Sequence, residues 1–159
     1  FAPDAFTTLA HFGICSRNWE LSDEDPNSYW KVATETQLQE KIGRQNLAIQ
    51  GEMIGEGIQK NIYKLRGQHL FVFHVFDIDR HRFYSYEETM DFCRNNDLQI
   101  VPLISTDFQL PAKVEDLLKM ADGPSILNEK AGREGLVLRS ADRKISFKAI
   151  SNAFLEAEE

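Results

Sequence analysis

Cysteine is scarce in this chain: Cys15 and Cys93 are its two thiols in 159 residues, and they form no Cys-x-x-Cys pair. A disulfide framework and a thiolate metal site therefore find no support. Each cysteine lies in an apolar segment, so both read as buried free thiols of a reducing compartment. The histidines, His11, His69, His74 and His81, lack the spaced ligand pattern of a metal site as well. No apolar run approaches about 18 residues and no basic-then-apolar leader is present, which leaves no membrane span and no secretory signal to read. The expectation is a soluble protein, intracellular and cytoplasmic. Positive charge is also in deficit, with 18 Lys and Arg against 25 Asp and Glu and a net charge of −7. A surface coated for nucleic acid is excluded, and any such contact must come from a local patch.

One such patch exists. Between Lys130 and Lys148 stand Lys130, Arg133, Arg139, Arg143, Lys144 and Lys148, against Glu134 and Asp142. Acids gather instead in Glu20 to Asp25, Glu87 to Asp91 and the Glu156 to Glu159 tail. Within the patch, Arg133 to Arg139 reads Arg-Glu-Gly-Leu-Val-Leu-Arg, which sets a carboxylate and two cations around an apolar strand core. Strand residues alternate faces, so Gly135, Val137 and Arg139 share one side with Glu134 at the strand's mouth. A phosphate and its metal would satisfy those charges; a solvated hairpin is the plain alternative.

At 42% apolar residues the chain suffices for one domain with a real core, and is read as a single partial domain over 1–159. It opens on Phe1 without an initiator Met, which reads as a fragment boundary. Short β-like runs predict strands at His11 to Ser16, Leu47 to Ile54, Ile62 to Leu65, His69 to Ile78, Gln99 to Ile104, Gly135 to Ser140 and Lys144 to Ile150. Helices are predicted over Ser28 to Lys41, over Tyr86 to Asn95 behind the Ser85/Glu88 capping box, and from Pro111 to a stop at Gly123-Pro124. A last helical stretch covers Asn152 to Glu158. The fold class is α+β, with mostly antiparallel sheets and flanking helices.

Glu52 interrupts an apolar strand, and a buried carboxylate is costly unless it is paired or hydrogen-bonded. A structural ion pair is the alternative to a ligand contact. Gly51 beside it would let a ligand or another backbone approach closely. Leu70 to Ile78 is apolar on both faces and ends at Phe76-Asp77, where a ring beside a carboxylate suits base stacking, although plain core is the more ordinary use of such rings and most of them must serve it. Lys144, Ser146 and Lys148 share one strand face, and with Arg139 they could receive phosphates.

Taken in order, these segments resemble the RNA ligases of the RNA ligase 2 type, within the covalent nucleotidyltransferases that include DNA ligases and capping enzymes. Cys15-Ser16-Arg17-Asn18 is similar to the motif after the nucleophile, Gly51-Glu52 to motif III, Phe76-Asp77-Ile78 to motif IIIa, Glu134-Gly135-Leu136-Val137 to motif IV and Ser146-Phe147-Lys148 to motif V. The resemblance implies a nucleotidyltransferase fold of the ATP-grasp-like ligase adenylation type, with ATP/AMP and Mg2+ as cofactors and RNA ends, nicked or bridged, as partners. It implies joining of a 3′-hydroxyl to a 5′-phosphate through lysyl-AMP and RNA-adenylate, splitting one hard step into easier ones. Arg17 would contact the nucleotide's ribose or phosphate and Glu52 its ribose hydroxyls. Phe76 would stack on adenine, with Val137 on the opposite face of the base. Glu134, with Asp77, would position the metal, while Lys148 holds the phosphate that changes hands.

Two departures stand out. Ser146 occupies the place of the first Lys of motif V, which calls for compensation from Lys144 or Arg139. Motif I, Lys-x-Asp-Gly, is absent from the chain. Lys119-Met-Ala-Asp122-Gly123 has one residue too many, stands out of order and reads as a helix stop. The chain is thus expected to be most of an adenylyltransferase domain beginning just after motif I, unable by itself to form lysyl-AMP, with a flanking RNA-binding domain in the parent protein. The alternatives are a non-catalytic nucleotide or RNA-end binding module, and a DNA ligase or capping-type enzyme.

Overall fold

Alternation of apolar and polar residues along extended segments sets the architecture, which is α+β. A computed structural model describes residues 11–24, 27–140 and 145–158. The chain divides into two compact units, Phe1–Ile58 with Arg66–Val101, and Gln59–Leu65 with Pro102–Glu159.

The first unit opens with β1 (Ile14–Cys15) paired antiparallel to β2 (Glu20–Leu21), then α1 (Ser28–Glu35) and α2 (Leu38–Ile42). Its main sheet is built on the long antiparallel pair β3 (Leu47–Gly55) and β4 (Gln68–Asp77), with β5 (Arg82–Phe83) antiparallel and β6 (Gln99–Ile100) parallel to β4. Helix α3 (Tyr86–Asn95) supplies Phe92 and Cys93 to a buried cluster with Val72 and Val75, over which Leu47, Ile49, Leu70 and Ile100 pack. Gln50 pairs with His74 but Gly51 with Val72, so the register steps past Phe73, the extra residue of a bulge in β4. Beside it, a side chain on Gly51 would collide with the Phe71 carbonyl at 2.7 Å and Leu70 at 2.6 Å. Close approach of a neighbouring strand is therefore what this glycine permits.

The second unit contains α4 (Val114–Ala121), the antiparallel pair β7 (Gly135–Arg139) and β8 (Ser146–Ile150), and α5 (Asn152–Glu158). The Ser151 hydroxyl bridges two elements: it donates to Asp122 Oδ1 at 2.6 Å and accepts from the Phe154 amide at 3.1 Å. That bond to Ser151 is the leading reason that the Asp122 carboxyl titrates below its ordinary range.

Several elements differ from their predicted extent. The Ser28 to Lys41 helix breaks into α1 and α2 because Gln37 adopts a left-handed conformation, φ 53°, after Thr36 bonds back to the Val32 carbonyl at 2.7 Å. Ile62 to Leu65 is a turn rather than a strand. Asn61 there bonds both the amide and the carbonyl of Leu65, at 3.1 and 2.9 Å, and Asn61 and Lys64 have positive φ. The strand predicted through Ile104 stops at Ile100, just before Pro102 removes a ladder donor. The helix predicted from Pro111 starts at Val114, and pairing in the first hairpin covers only Ile14 and Cys15 of His11 to Ser16. Cys15 is exposed, contrary to expectation, whereas burial pushes the Cys93 thiol up to about 11.

Candidate functional site

In the second unit, the β7–β8 register gathers most of the expected phosphate-binding residues onto one surface. Gly135, Val137 and Arg139 pair with Ile150, Lys148 and Ser146, and directly opposed residues share a face. The two runs that separately predicted cation-bearing faces are therefore a single face. Val137 is 54% exposed on it, an apolar side chain left open beside charged ones. Glu134, at the mouth of β7, receives the Lys148 ammonium at 2.6 Å. Both side chains remain partly exposed, at 31% for Glu134 and 44% for Lys148. An ion pair so hydrated contributes only about 0–1 kcal/mol, so its charges exchange readily for those of a ligand.

Gly135 makes this geometry possible. Its φ of 151° lies where side chains are strained, and a Cβ there would run into the Ala149 carbonyl of β8. The Glu134 carbonyl accepts the Ser151 amide at 2.8 Å, which fixes the strand's mouth to the start of α5. Lys144, the other cation expected to compensate for Ser146, lies outside the described residues, as does Arg143. An apolar groove of about 480 Å³ also runs along β8, with Lys148 and Lys113 among lining residues such as Val114, Leu117 and Phe147.

Arg133 has a different task from the one its position suggests. Its guanidinium donates to the carbonyls of Met120, Ala121 and Asp122 at 2.6, 3.0 and 2.9 Å. These are carbonyls at the C-terminus of α4, where a cation also complements the helix dipole. One of the two cations that flank the strand core is thus satisfied by backbone. The same helix end answers for Lys119 to Gly123, as expected of a helix stop: Lys119 pairs with Asp116 at 3.2 Å, and Gly123 turns at φ 136°.

In the first unit, Glu52 and Phe76 lie on one face of β3–β4. Ala48, Gln50 and Glu52 pair with Phe76, His74 and Phe71, opposite the face that carries the buried cluster, and Gln50 and His74 are hydrogen-bonded at 3.2 Å. Glu52 is exposed rather than buried, so the desolvation argument for a paired carboxylate does not hold. Among the described residues it makes no ion pair. Phe76 is half-buried and meets Phe83 and His81 edge-on, with ring centroids 4.9 and 5.6 Å away. Asp77 is 6% exposed and closes a turn: Oδ1 accepts the Arg80 amide at 2.9 Å and Oδ2 meets the Arg80 guanidinium at 3.2 Å. Both of its oxygens are thus engaged within that turn. Arg17 is exposed in the turn joining β1 to β2.

No group of three or more His, Cys, Asp or Glu side chains that could hold a metal occurs among the described residues. That donor set fits a hard cation bound through one carboxylate, water and substrate oxygens, and does not fit an all-protein cage. Also among the described residues, no helix is long and apolar enough to cross a membrane.

The family model described as RNA ligase matches residues 5–150. Solved structures of an RNA ligase from Naegleria gruberi are similar to the chain. A lysine-to-methionine variant with AMP and Mn has a TM-score of 0.84 at 43% identity, covering 92% of this chain and 45% of that one. An arginine-to-alanine variant with ATP and Mn gives 0.84 at 43% identity with the same coverage of both chains. A glutamate-to-alanine variant, also with ATP and Mn, gives 0.85 at 41% identity, again covering 92% and 45%. The chain thus spans about half the length of the solved relatives it matches. No curated protein is significantly similar to it.

Proposed function

The chain belongs to the RNA ligase family, and on that premise we propose that it forms the nucleotide- and phosphate-binding part of an ATP-dependent enzyme that joins RNA 3′-hydroxyl and 5′-phosphate ends in the cytoplasm. The observation that carries this reading is the exposed Glu134–Lys148 pair on the strand face that also bears Val137 and Arg139. Lys148 holds a phosphate oxygen of the nucleotide or the RNA end, neutralising charge on the group in transfer. Released from that lysine, Glu134 accepts a divalent cation or its water, while Val137 offers apolar surface to a base. Glu52 and Phe76 take the ribose and adenine, and Arg17 a phosphate. The cation, magnesium or manganese, supplies Lewis-acid polarisation when bound.

The nucleophilic lysine of covalent nucleotidyl transfer belongs to Lys-x-Asp-Gly, a pattern these 159 residues lack. The test of the pocket therefore bypasses that step. The chain is given pre-adenylated RNA, a 3′-hydroxyl partner strand and magnesium, and sealing is followed on a gel. Glu134→Ala and Lys148→Ala should each lower the rate by roughly 100-fold, the scale of losing a group that stabilises transition-state charge. Sealing indifferent to both substitutions would overturn the site. A binding module with the same fold would hold AMP and RNA yet seal nothing in either form.

A further inference from the structure

The two tryptophans of the chain have opposite surroundings. Trp30 is half-buried, donates its indole N–H to the Leu21 carbonyl at 2.9 Å and packs edge-on against Phe12. Trp19 is 76% exposed, and among the described residues its indole has no hydrogen-bond partner. Yet its backbone is firmly held. Trp19 lies in the turn between β1 and β2, where the Ser16 amide donates to its carbonyl at 2.8 Å and its own amide donates to Ser16 Oγ at 3.2 Å. The same turn carries Arg17, exposed and without an ion pair among the described residues. The adjacent carboxylate, Glu20, is engaged with His11 at 2.9 Å.

A hydrogen-bonded turn that offers a bare indole and a guanidinium with no ion pair among the described residues suits a ligand with a π-face and a phosphate. We infer that Trp19 is an RNA-binding residue that stacks on the unpaired terminal base of an RNA strand while Arg17 meets that nucleotide's phosphate. The inference rests on the proposed RNA-joining function and adds a contact to it. Bases inside a duplex are already stacked on their neighbours, so an exposed indole can take only a base at an end or a break. A tryptophan also loses little conformational freedom on binding, with two side-chain torsions to fix.

The test uses the whole chain and fluorescein-labelled single-stranded RNA with a 5′-phosphate, in two forms: one intact and one abasic at the 5′-terminal nucleotide. Trp19→Ala should weaken binding of the intact strand by roughly tenfold and leave the abasic strand nearly unaffected, whereas Trp19→Phe should retain most of the affinity. AMP affinity, measured by calorimetry, should not change in either variant. Equal losses on both strands, or no loss on either, would overturn the stacking contact. A loss of AMP affinity matching the loss for RNA would overturn it too, by showing that the variant disturbs the fold. The underlying reading has its own arm: wild-type chain that binds neither RNA nor AMP would remove the function itself, whereas RNA binding indifferent to Trp19 removes the stacking contact alone.

Discussion

Arg133 shows how a cation in a basic patch can be wholly engaged by backbone. Its hydrogen bonds to Met120, Ala121 and Asp122 close the last turn of α4, and bonds from a charged donor are worth about 1.5–3 kcal/mol each before solvation and strain are shared out. Arg133→Met should therefore destabilise the protein by about 1–3 kcal/mol, seen as a lowered midpoint in urea, with AMP affinity preserved. Affinity lost at unchanged stability would return Arg133 to the ligand. At this scale the sequence was readable where period-two alternation decides the matter. Val137, Arg139, Ser146 and Lys148 fall on the face that their spacing indicates, because a two-stranded ladder leaves little else to choose. Glu52 and Arg133 were not readable. Whether an apolar run is covered on one side or two, and which carbonyls lie within reach of a long side chain, depends on elements remote in sequence.

Helix α3 is the element whose start was plainest in the sequence. Ser85 accepts the Glu88 amide at 3.1 Å, and the Glu88 carboxylate accepts the Ser85 amide at 2.7 Å, so the capping box is complete. Arg82 adds a two-pronged bond to the same carboxylate, 2.7 Å on each arm. This bond, more than the Ser85 amide, brings Glu88 down from its ordinary 4.5 to about 2. A carboxyl with a lowered folded-state value stabilises the fold fully above its unfolded value, and that contribution fades as pH falls through the folded one. Wild type should thus melt above Glu88→Gln near neutral pH, and the gap should close between pH 4.5 and about 2. A melting difference independent of pH would mean that the Arg82 pair adds nothing. The helix break at Gln37 left no such signature, since glutamine is an ordinary helix former and its residue type gives no sign of the left-handed conformation that it adopts.

For the whole molecule, the order of the motif-like segments along the chain was the legible feature, and the family that it indicated is what the match over residues 5–150 bears out. The division into two compact units was not legible, because Gln59–Leu65 joins the later unit across the intervening Arg66–Val101, and no composition change marks that excursion. Arg17, Glu52, Phe76 and Asp77 belong to the first unit, and Glu134, Val137, Arg139 and Lys148 to the second. Incubation of the chain with α-labelled ATP and magnesium should leave no label on the protein after denaturing electrophoresis, since a covalent adenylate needs a lysine nucleophile in its proper motif. Stable label on any lysine would overturn that expectation and direct attention to Lys119.

The surplus residue in β4 works as a phase shifter. Val72 and Val75, both fully buried, are separated by an odd number of steps, which a regular strand could not bury on one side. Were Phe73 deleted and the ladder closed up, every remaining residue of β4 would keep its partner in β3, and Val72 and Val75 would fall on one side by plain alternation. Conversely, a regular strand of the present length, held in register at Val72, would bury Phe76 and expose Asp77. The bulge thus decides which of two adjacent motif residues faces away from the buried cluster, and a single-residue insertion between Val72 and Val75 that it did not absorb would act on that choice without touching either residue.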